Sequence, residues 1–155
     1  MTEIYVDADA CPVKQEVLKV AGRHGLVVHL VGNTWMRAGG AAVDDPNVRR
    51  VVVTGGSDAA DDWIAERIGA ADIAVTQDIR LAARCLQKSA RTIGPTGKPF
   101  TEDNIGMALA MRELTGHLRD TGEIKGGAPA FSAKDRSRFL QALEETIRAV
   151  QRDAK

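Results

Sequence analysis

Acidic side chains follow three predicted strands, at the point where each strand ends. The first strand begins at Glu3 and the other two cover residues 48–54 and 72–76; the aspartates that follow are Asp7, Asp9, Asp58, Asp61, Asp62 and Asp78. Open α/β sheets bind their ligands at the carboxyl ends of the strands, so we expect these carboxylates to converge. Two carboxylates about 4 Å apart repel by about 4 kcal/mol at an effective dielectric constant of about 20, so the cluster needs a counter-charge.

A divalent cation is the counter-charge that this set of side chains predicts. Sites with oxygen ligands alone select hard ions, and Mg²⁺ or Mn²⁺ also accepts phosphate oxygens of a substrate. Such a site activates water for attack on phosphorus. The predicted metal ligands are the six aspartates named above, and the predicted catalytic residues are Asp7, Asp9, Asp61 and Asp78. For each one, a helix cap, a turn or a solvated helix face is the structural alternative.

Strands and helices alternate along the first two thirds of the chain. Helices are predicted over residues 12–24 and 79–88, with Gly25 ending the first in a left-handed conformation. A further helix is expected after Asp58, with Asp61 and Asp62 on the face opposite its apolar residues; residues 32–47 are expected to form a long loop and residues 91–94 a short edge strand. After a turn-rich connection over residues 94–99, a helix capped by Thr101 runs to about Leu118 with a methionine stripe expected in the core, and a last helix begins with Ser132 and Asp135. The alternation predicts an α/β fold: a three-layer domain with a mainly parallel sheet and added C-terminal helices.

Length and composition limit the number of domains and the class of protein that we expect. With 155 residues and 44% hydrophobic content, we expect one domain over residues 1–155, and the chain contains no long apolar run of the membrane-spanning kind. We expect a cytoplasmic protein with free thiols at Cys11 and Cys85. The 21 basic and 21 acidic residues balance, but residues 1–78 carry 7 basic and 12 acidic side chains against 14 and 9 afterwards. An acidic centre beside a basic surface suits a phosphate-containing substrate.

Five motifs make the chain similar to a known family. They are Val6-Asp7-Ala8-Asp9-Ala10-Cys11-Pro12-Val13, Gly56-Ser57-Asp58-Ala59-Ala60-Asp61, Thr76-Gln77-Asp78-Ile79-Arg80-Leu81-Ala82, Phe100-Thr101-Glu102-Asp103-Asn104-Ile105 and Phe131-Ser132-Ala133-Lys134-Asp135-Arg136. Together they resemble the uncharacterised bacterial YaiI/YqxD-like family of PIN-like domains.

The resemblance implies a PIN-like fold and a nuclease-type metal site. It gives Asp7, Asp61 or Asp62, and Asp78 the positions of the PIN-type metal carboxylates, with Asp9 and Asp58 adjoining and Thr76 beside them. Two positions depart from the family pattern. Arg80 stands where a proline is expected and adds a positive charge beside the site, and Ala128 stands where Gly-Gly-Pro is expected.

The preferred interpretation is a Mg²⁺- or Mn²⁺-dependent phosphodiesterase that acts on RNA. The predicted substrate-binding residues are Lys14, Arg80, Lys134 and Arg136. One alternative is a haloacid dehalogenase-type phosphatase, in which Asp7 is a covalent nucleophile and Asp9 its acid–base partner. Another is a non-catalytic RNA- or protein-binding module, although the 4% aromatic content does not favour base stacking.

Overall fold

A six-stranded sheet forms the centre of the protein. The structure, a computed structural model, describes residues 2–8, 13–32, 47–53, 59–107, 109–111 and 132–153. The strands are β1 (Glu3–Asp7), β2 (Val27–Gly32), β3 (Val48–Val52), β4 (Ile73–Val75), β5 (Arg91–Ile93) and β6 (Pro99–Phe100). Their order in the sheet is β3-β2-β1-β4-β5-β6, with β1 to β5 parallel and β6 antiparallel.

Helices cover both faces of this sheet. They are α1 (Lys14–His24), α2 (Ala59–Arg67), α3 (Ile79–Gln87), α4 over residues 102–107, and α5 (Ala133–Asp153); residues 109–111 are also helical. Residues 112–118 of the predicted fourth helix lie outside the described part, as do residues 33–46 of the predicted loop after β2.

Two apolar cores define the three layers. Ile4 and Val6 of β1 pack with α1 and α5, in a cluster that includes Val17 and Phe139. Tyr5, which points to the other face, packs with α2 and α3 in a second cluster. The alternation of side chains along β1 therefore separates the cores, as expected for a strand that is buried on both faces. The predicted three-layer α/β fold is confirmed.

Local sequence signals end α1 and begin α5 where they are predicted to, although α1 begins at Lys14 and not at residue 12. Gly25 follows α1 with a φ of 66°, and its N–H donates to the carbonyls of Ala21 and Gly22. At the start of α5, Ser132 N donates to Asp135 Oδ2 and Asp135 N donates to Ser132 Oγ, so this predicted capping box is also confirmed.

The far edge of the sheet differs from the prediction. The sequence predicts that β5 is an edge strand, but β6 pairs with it and takes the edge. Gly97, in the turn between these strands, has a φ of 87°, and a Cβ there would lie 2.7 Å from the carbonyl oxygen of Arg138 in α5. The turn therefore packs directly on the backbone of α5.

The predicted burial of a methionine stripe on the fourth helix is wrong for its described members. Met107 and Met111 are 71% and 52% exposed. Among the described helices, none is long and apolar enough to cross a membrane.

Candidate active site at the carboxyl ends of β1 and β4

Neighbouring strands β1 and β4 send the chain to opposite faces of the sheet. The helix that follows β1 is α1, which packs on one face with α5, whereas α3 follows β4 and packs on the other face with α2. A crevice opens at such a topological switch point, between the carboxyl ends of the two strands, and open α/β sheets bind their ligands there. Asp7 is the last residue of β1, and Thr76 comes directly after β4, so both lie at this switch point.

Thr76 joins the two strand ends. Its Oγ1 donates to Asp7 Oδ2 at 3.0 Å and accepts a hydrogen bond from Asp78 N at 2.9 Å. Thr76 is 1% exposed, so its hydroxyl is held in one place. Water competes poorly with such a buried bond, which fixes Asp7 relative to the backbone of Asp78.

Asp78 caps α3. Its Oδ1 accepts from the N–H groups of Arg80 and Leu81 at 2.8 and 3.4 Å. The structural alternative for Asp78, a helix cap, is thus observed. Capping does not exclude a second role, because a carboxylate has about four lone-pair sites on its two oxygens.

Asp61 lies on the buried side of α2, although the helical pattern predicts that it shares an exposed face with Asp62. It is 8% exposed, whereas Asp62 is exposed. Cys85 of α3 is buried near Asp61. The pKa of its thiol is raised to about 12, chiefly by burial; Arg84 opposes this rise, and the carboxylates of Asp61 and Asp7 add to it. Asp61 and Asp7 are therefore close enough to the same α3 thiol to act on it electrostatically.

Asp62 makes an ion pair at the protein surface. Its Oδ1 accepts from Arg84 Nη1 at 2.8 Å, and both side chains are about half exposed. This pair links α2 to α3 on the protein surface. An exposed pair of this kind contributes about 0–1 kcal/mol.

Two of the predicted ligands, Asp9 and Asp58, lie outside the described residues. Within the described residues, no group of three or more histidine, cysteine, aspartate or glutamate side chains has the arrangement of a metal site. The predicted ligands all offer carboxylate oxygens, and oxygen donors are the ligands that Mg²⁺ and Mn²⁺ prefer. The described carboxylates thus supply suitable donors but do not by themselves form a complete ligand set.

The basic residues predicted to bind substrate border the same edge of the sheet. Lys14 begins α1, and Arg80 lies in the first turn of α3 beside Asp78. Lys134 and Arg136 lie in the first turns of α5, which reaches this edge because Arg136 Nε donates to Glu16 Oε1 of α1 at 2.9 Å. Lys14, Arg80 and Lys134 make no ion pair with a described residue, whereas the charge of Arg136 is met by Glu16.

Sequence reasoning places Thr76 beside the carboxylates but misses its role as the bridge between them. The signal was present: Thr76 and Asp7 each continue the alternation of side chains that face α2 and α3, as Ala74 and Tyr5 do. When β1 and β4 are neighbours, that alternation brings the two side chains together.

Fold and site define a class: a three-layer α/β protein with carboxylates at the switch point of a mainly parallel sheet. Within that class, residues 5–149 match the model described as "Uncharacterized BCR, YaiI/YqxD family". The chain belongs to this family.

Similar proteins carry a family name and no stated activity. A UPF0178 protein of Parvibaculum lavamentivorans is 62% identical over 152 residues, which are 98% of this chain and 97% of that protein. The UPF0178 protein of Rhodospirillum rubrum is 60% identical over 150 residues, covering 97% and 98%. That of Agrobacterium fabrum is 55% identical over 150 residues, covering 97% and 95%.

Proposed function

We propose that this protein is a PIN-like, divalent-metal-dependent phosphodiesterase that cleaves RNA. The observation that carries the proposal is the Thr76–Asp7 hydrogen bond, which ties the carboxyl ends of β1 and β4 together at the switch point. The further carboxylates of the proposal are those of Asp78, whose backbone N–H donates to the same Thr76 hydroxyl, and of Asp61, which is buried on α2. Capping of α3 explains the position of Asp78 but does not require a buried carboxylate on α2.

Asp7, Asp61 and Asp78, with Asp9 and Asp58, are the residues that would hold Mg²⁺ or Mn²⁺. When bound, the ion would make a water molecule more acidic and neutralise charge on the leaving oxygen. The resemblance leaves open whether Asp61 or Asp62 is the ligand from α2. The ion pair of Asp62 with Arg84 and the burial of Asp61 support Asp61.

The protein's own residues set the substrate class. Lys14, Arg80 and Lys134 would contact phosphates of an RNA strand, because they border the carboxylates and have no described ionic partner. Arg136 is less available to bind a phosphate, since its guanidinium already forms an ion pair with Glu16. Phosphate contacts of this kind are independent of base sequence and weaken as the salt concentration rises.

The test is cleavage of an end-labelled single-stranded RNA by purified protein with Mn²⁺, with Mg²⁺ or with EDTA. We expect cleavage with either ion and none with EDTA. Asp7→Asn should abolish it, while the matched control Asp103→Asn, an exposed carboxylate on α4, should cleave like the wild type. Equal cleavage by Asp7→Asn and the wild type would overturn the proposal.

RNA binding without cleavage is the outcome that favours the non-catalytic module. It would appear as salt-dependent retention of intact RNA that does not require Mn²⁺ and that Asp7→Asn leaves unchanged. In that case Lys14→Ala and Lys134→Ala should weaken binding, whereas the carboxylates would be dispensable.

A further inference from the structure

The turn between β5 and β6 begins beside the strand ends that carry the proposed site. Its first residue, Gly94, follows Ile93, whose carbonyl oxygen accepts from Thr76 N at 3.1 Å. Gly94 N donates to the carbonyl oxygen of Lys98 at 2.9 Å, which closes the turn. Residues 94–98, called the edge turn below, are therefore next to the threonine that joins β1 to β4.

The edge turn also contacts the start of α5. A Cβ at Gly97 would lie 2.7 Å from the carbonyl oxygen of Arg138, so the two backbones approach each other closely. Lys134 lies four residues before Arg138 and thus on the same side of the helix. Lys98 of the edge turn is therefore a neighbour of two basic residues of α5.

Little negative charge opposes these three basic residues, all of which are exposed. Lys98 and Lys134 make no ion pair with a described residue, and Arg138 Nη1 is 3.9 Å from Asp135 Oδ1. The Asp135 carboxylate is also bound elsewhere: Ser132 N donates to it at 3.0 Å, and this bond lowers its pKa. The basic side chains therefore remain available to phosphate oxygens.

The surface beyond the other end of β6 has the opposite charge. β6 runs antiparallel to β5, so it leads away from the carboxyl ends of the parallel strands. Glu102 and Asp103, just after β6, are exposed and acidic. A polyanion is attracted to the Lys98 end of β6 and repelled from this end. A nucleic acid strand at the carboxylates is therefore favoured to continue towards α5 and not towards α4.

We propose that an RNA strand bound at the carboxylates continues over the edge turn and the first two turns of α5, where Lys98 and Arg138 bind its phosphates. The inference rests on the proposed function, because it takes RNA as the substrate. It adds two phosphate-binding residues to Lys14, Arg80 and Lys134. Since neither added residue belongs to the carboxylate cluster, both should act on binding and not on the chemical step.

The test is binding of a fluorescein-labelled single-stranded RNA, followed by fluorescence anisotropy across a range of KCl concentrations. EDTA is present, so that no cleavage is expected. Each phosphate contact to a single strand contributes about 0.7 to the slope of log K against log[KCl], so the double variant Lys98→Ala/Arg138→Ala should reduce the magnitude of the slope by about 1.4.

The matched control removes two exposed basic side chains at the other edge of the sheet. Lys88 lies at the end of α3, and Arg152 lies in the last turn of α5, which ends near the start of β5 because Arg91 donates to Asp153. Lys88→Ala/Arg152→Ala should have the slope of the wild type. Equal slopes for the two double variants would overturn the inference.

Cleavage assayed separately with Mn²⁺ distinguishes this inference from the proposed function. Lys98→Ala/Arg138→Ala should raise KM and leave kcat nearly unchanged, since it removes binding that is uniform through the reaction; a lower kcat at unchanged KM would contradict a role in binding. If the wild type bound RNA but did not cleave it, a smaller slope for this variant would support the binding surface while the proposed chemistry failed. No binding of RNA by the wild type would overturn both.

Discussion

The hydroxyl of Thr76 donates to Asp7 Oδ2 at 3.0 Å and accepts from the backbone N–H of Asp78 at 2.9 Å. One buried side chain thus holds the ends of two neighbouring strands together and sets the position of two of the proposed ligands. Asp7 is fixed by a side-chain bond, and Asp78 by the bond to its backbone. Thr76 is therefore a positioning residue for the site.

Thr76→Val should break this arrangement while nearly keeping the shape of the side chain. It leaves Asp7 Oδ2 and Asp78 N without that partner, which should lower the free energy of unfolding by about 1–3 kcal/mol. Thr76→Ser is the control, because it keeps the hydroxyl and removes one methyl group, at a cost of about 1 kcal/mol. The measurement is urea unfolding with and without Mn²⁺. Stabilisation by Mn²⁺ should persist in the serine variant and be reduced in the valine variant; equal stabilisation would deny Thr76 a role in positioning the site.

The proposed phosphodiesterase and the phosphatase alternative give different results at Asp7. As a covalent nucleophile, Asp7 would carry an aspartyl phosphate during turnover, and acid quenching would preserve it. As a metal ligand it forms no covalent adduct. We expect no label on the protein after incubation with a ³²P-labelled phosphate monoester and Mg²⁺. Label that is present in the wild type and missing in Asp7→Asn would establish the phosphatase mechanism.

Glu144 links α5 to α1 in a pH-dependent way. Hydrogen bonds from His24, and secondarily from Arg148, hold the pKa of the Glu144 carboxyl below its ordinary value of 4.5. A group whose pKa is lowered by folding stabilises the folded state above its unfolded pKa. That contribution is lost as the pH falls through the lower, folded pKa.

Glu144→Gln should therefore be less stable than the wild type at pH 7, and the difference should shrink below pH 4.5. Urea unfolding across this range measures both free energies. Glu145→Gln is the control, since among the described residues its carboxylate accepts only from Gln141 of the same helix, at 3.2 Å, and it should cost less at pH 7. A difference between wild type and Glu144→Gln that stayed constant down to about pH 3 would contradict the proposed linkage.

Local signals predicted most of the fold. Asp78, Gly25 and the pair Ser132–Asp135 start or end helices through bonds between near neighbours in the chain, so the sequence alone is sufficient to identify them. The placement of Asp7 and Asp78 at the carboxyl ends of parallel strands follows from the alternation of strands and helices. Strand order did not follow, because pairing of β1 with β4 joins residues about 70 positions apart, and short-range patterns do not specify it.

The predictions that the structure contradicts, at the sheet edge and at Asp61, fail for physical reasons. β6 consists of Pro99 and Phe100 alone, and a strand of two residues is too short to show an alternating pattern. Hydrophobic periodicity assigns acidic residues to solvent, so the pattern within α2 places Asp61 on the same face as Asp62. Its burial depends on the neighbouring strands and α3, and no pattern within α2 shows them.

Two glycines test how closely the edge turn packs on α5. An alanine at Gly97 would need a left-handed backbone at φ 87° and would place Cβ 2.7 Å from the Arg138 carbonyl oxygen. We expect Gly97→Ala to lower the free energy of unfolding by more than about 1 kcal/mol. At Gly106 in α4, an added Cβ would meet no atom of the described residues within 4 Å beyond its own helix, so Gly106→Ala should be neutral or stabilising by up to about 1 kcal/mol. Thermal unfolding of both variants makes the comparison, and equal effects would show that the turn does not pack on α5 as described.

Asp78→Asn separates the two roles of this residue. Asparagine caps a helix about as well as aspartate, so capping of α3 should survive and metal-free stability should stay the same. If carboxylates crowd the site, removal of one charge should even raise that stability. The wild type should gain about 2.7 kcal/mol when free Mn²⁺ is a hundredfold above its dissociation constant. Asp78→Asn should gain less at the same concentration, because it has lost an anionic ligand. Melting curves of both proteins with and without Mn²⁺ give the four melting temperatures required. Equal Mn²⁺-induced shifts would restrict Asp78 to its capping role. The proposed metal site would then have no carboxylate ligand from the residues that follow β4.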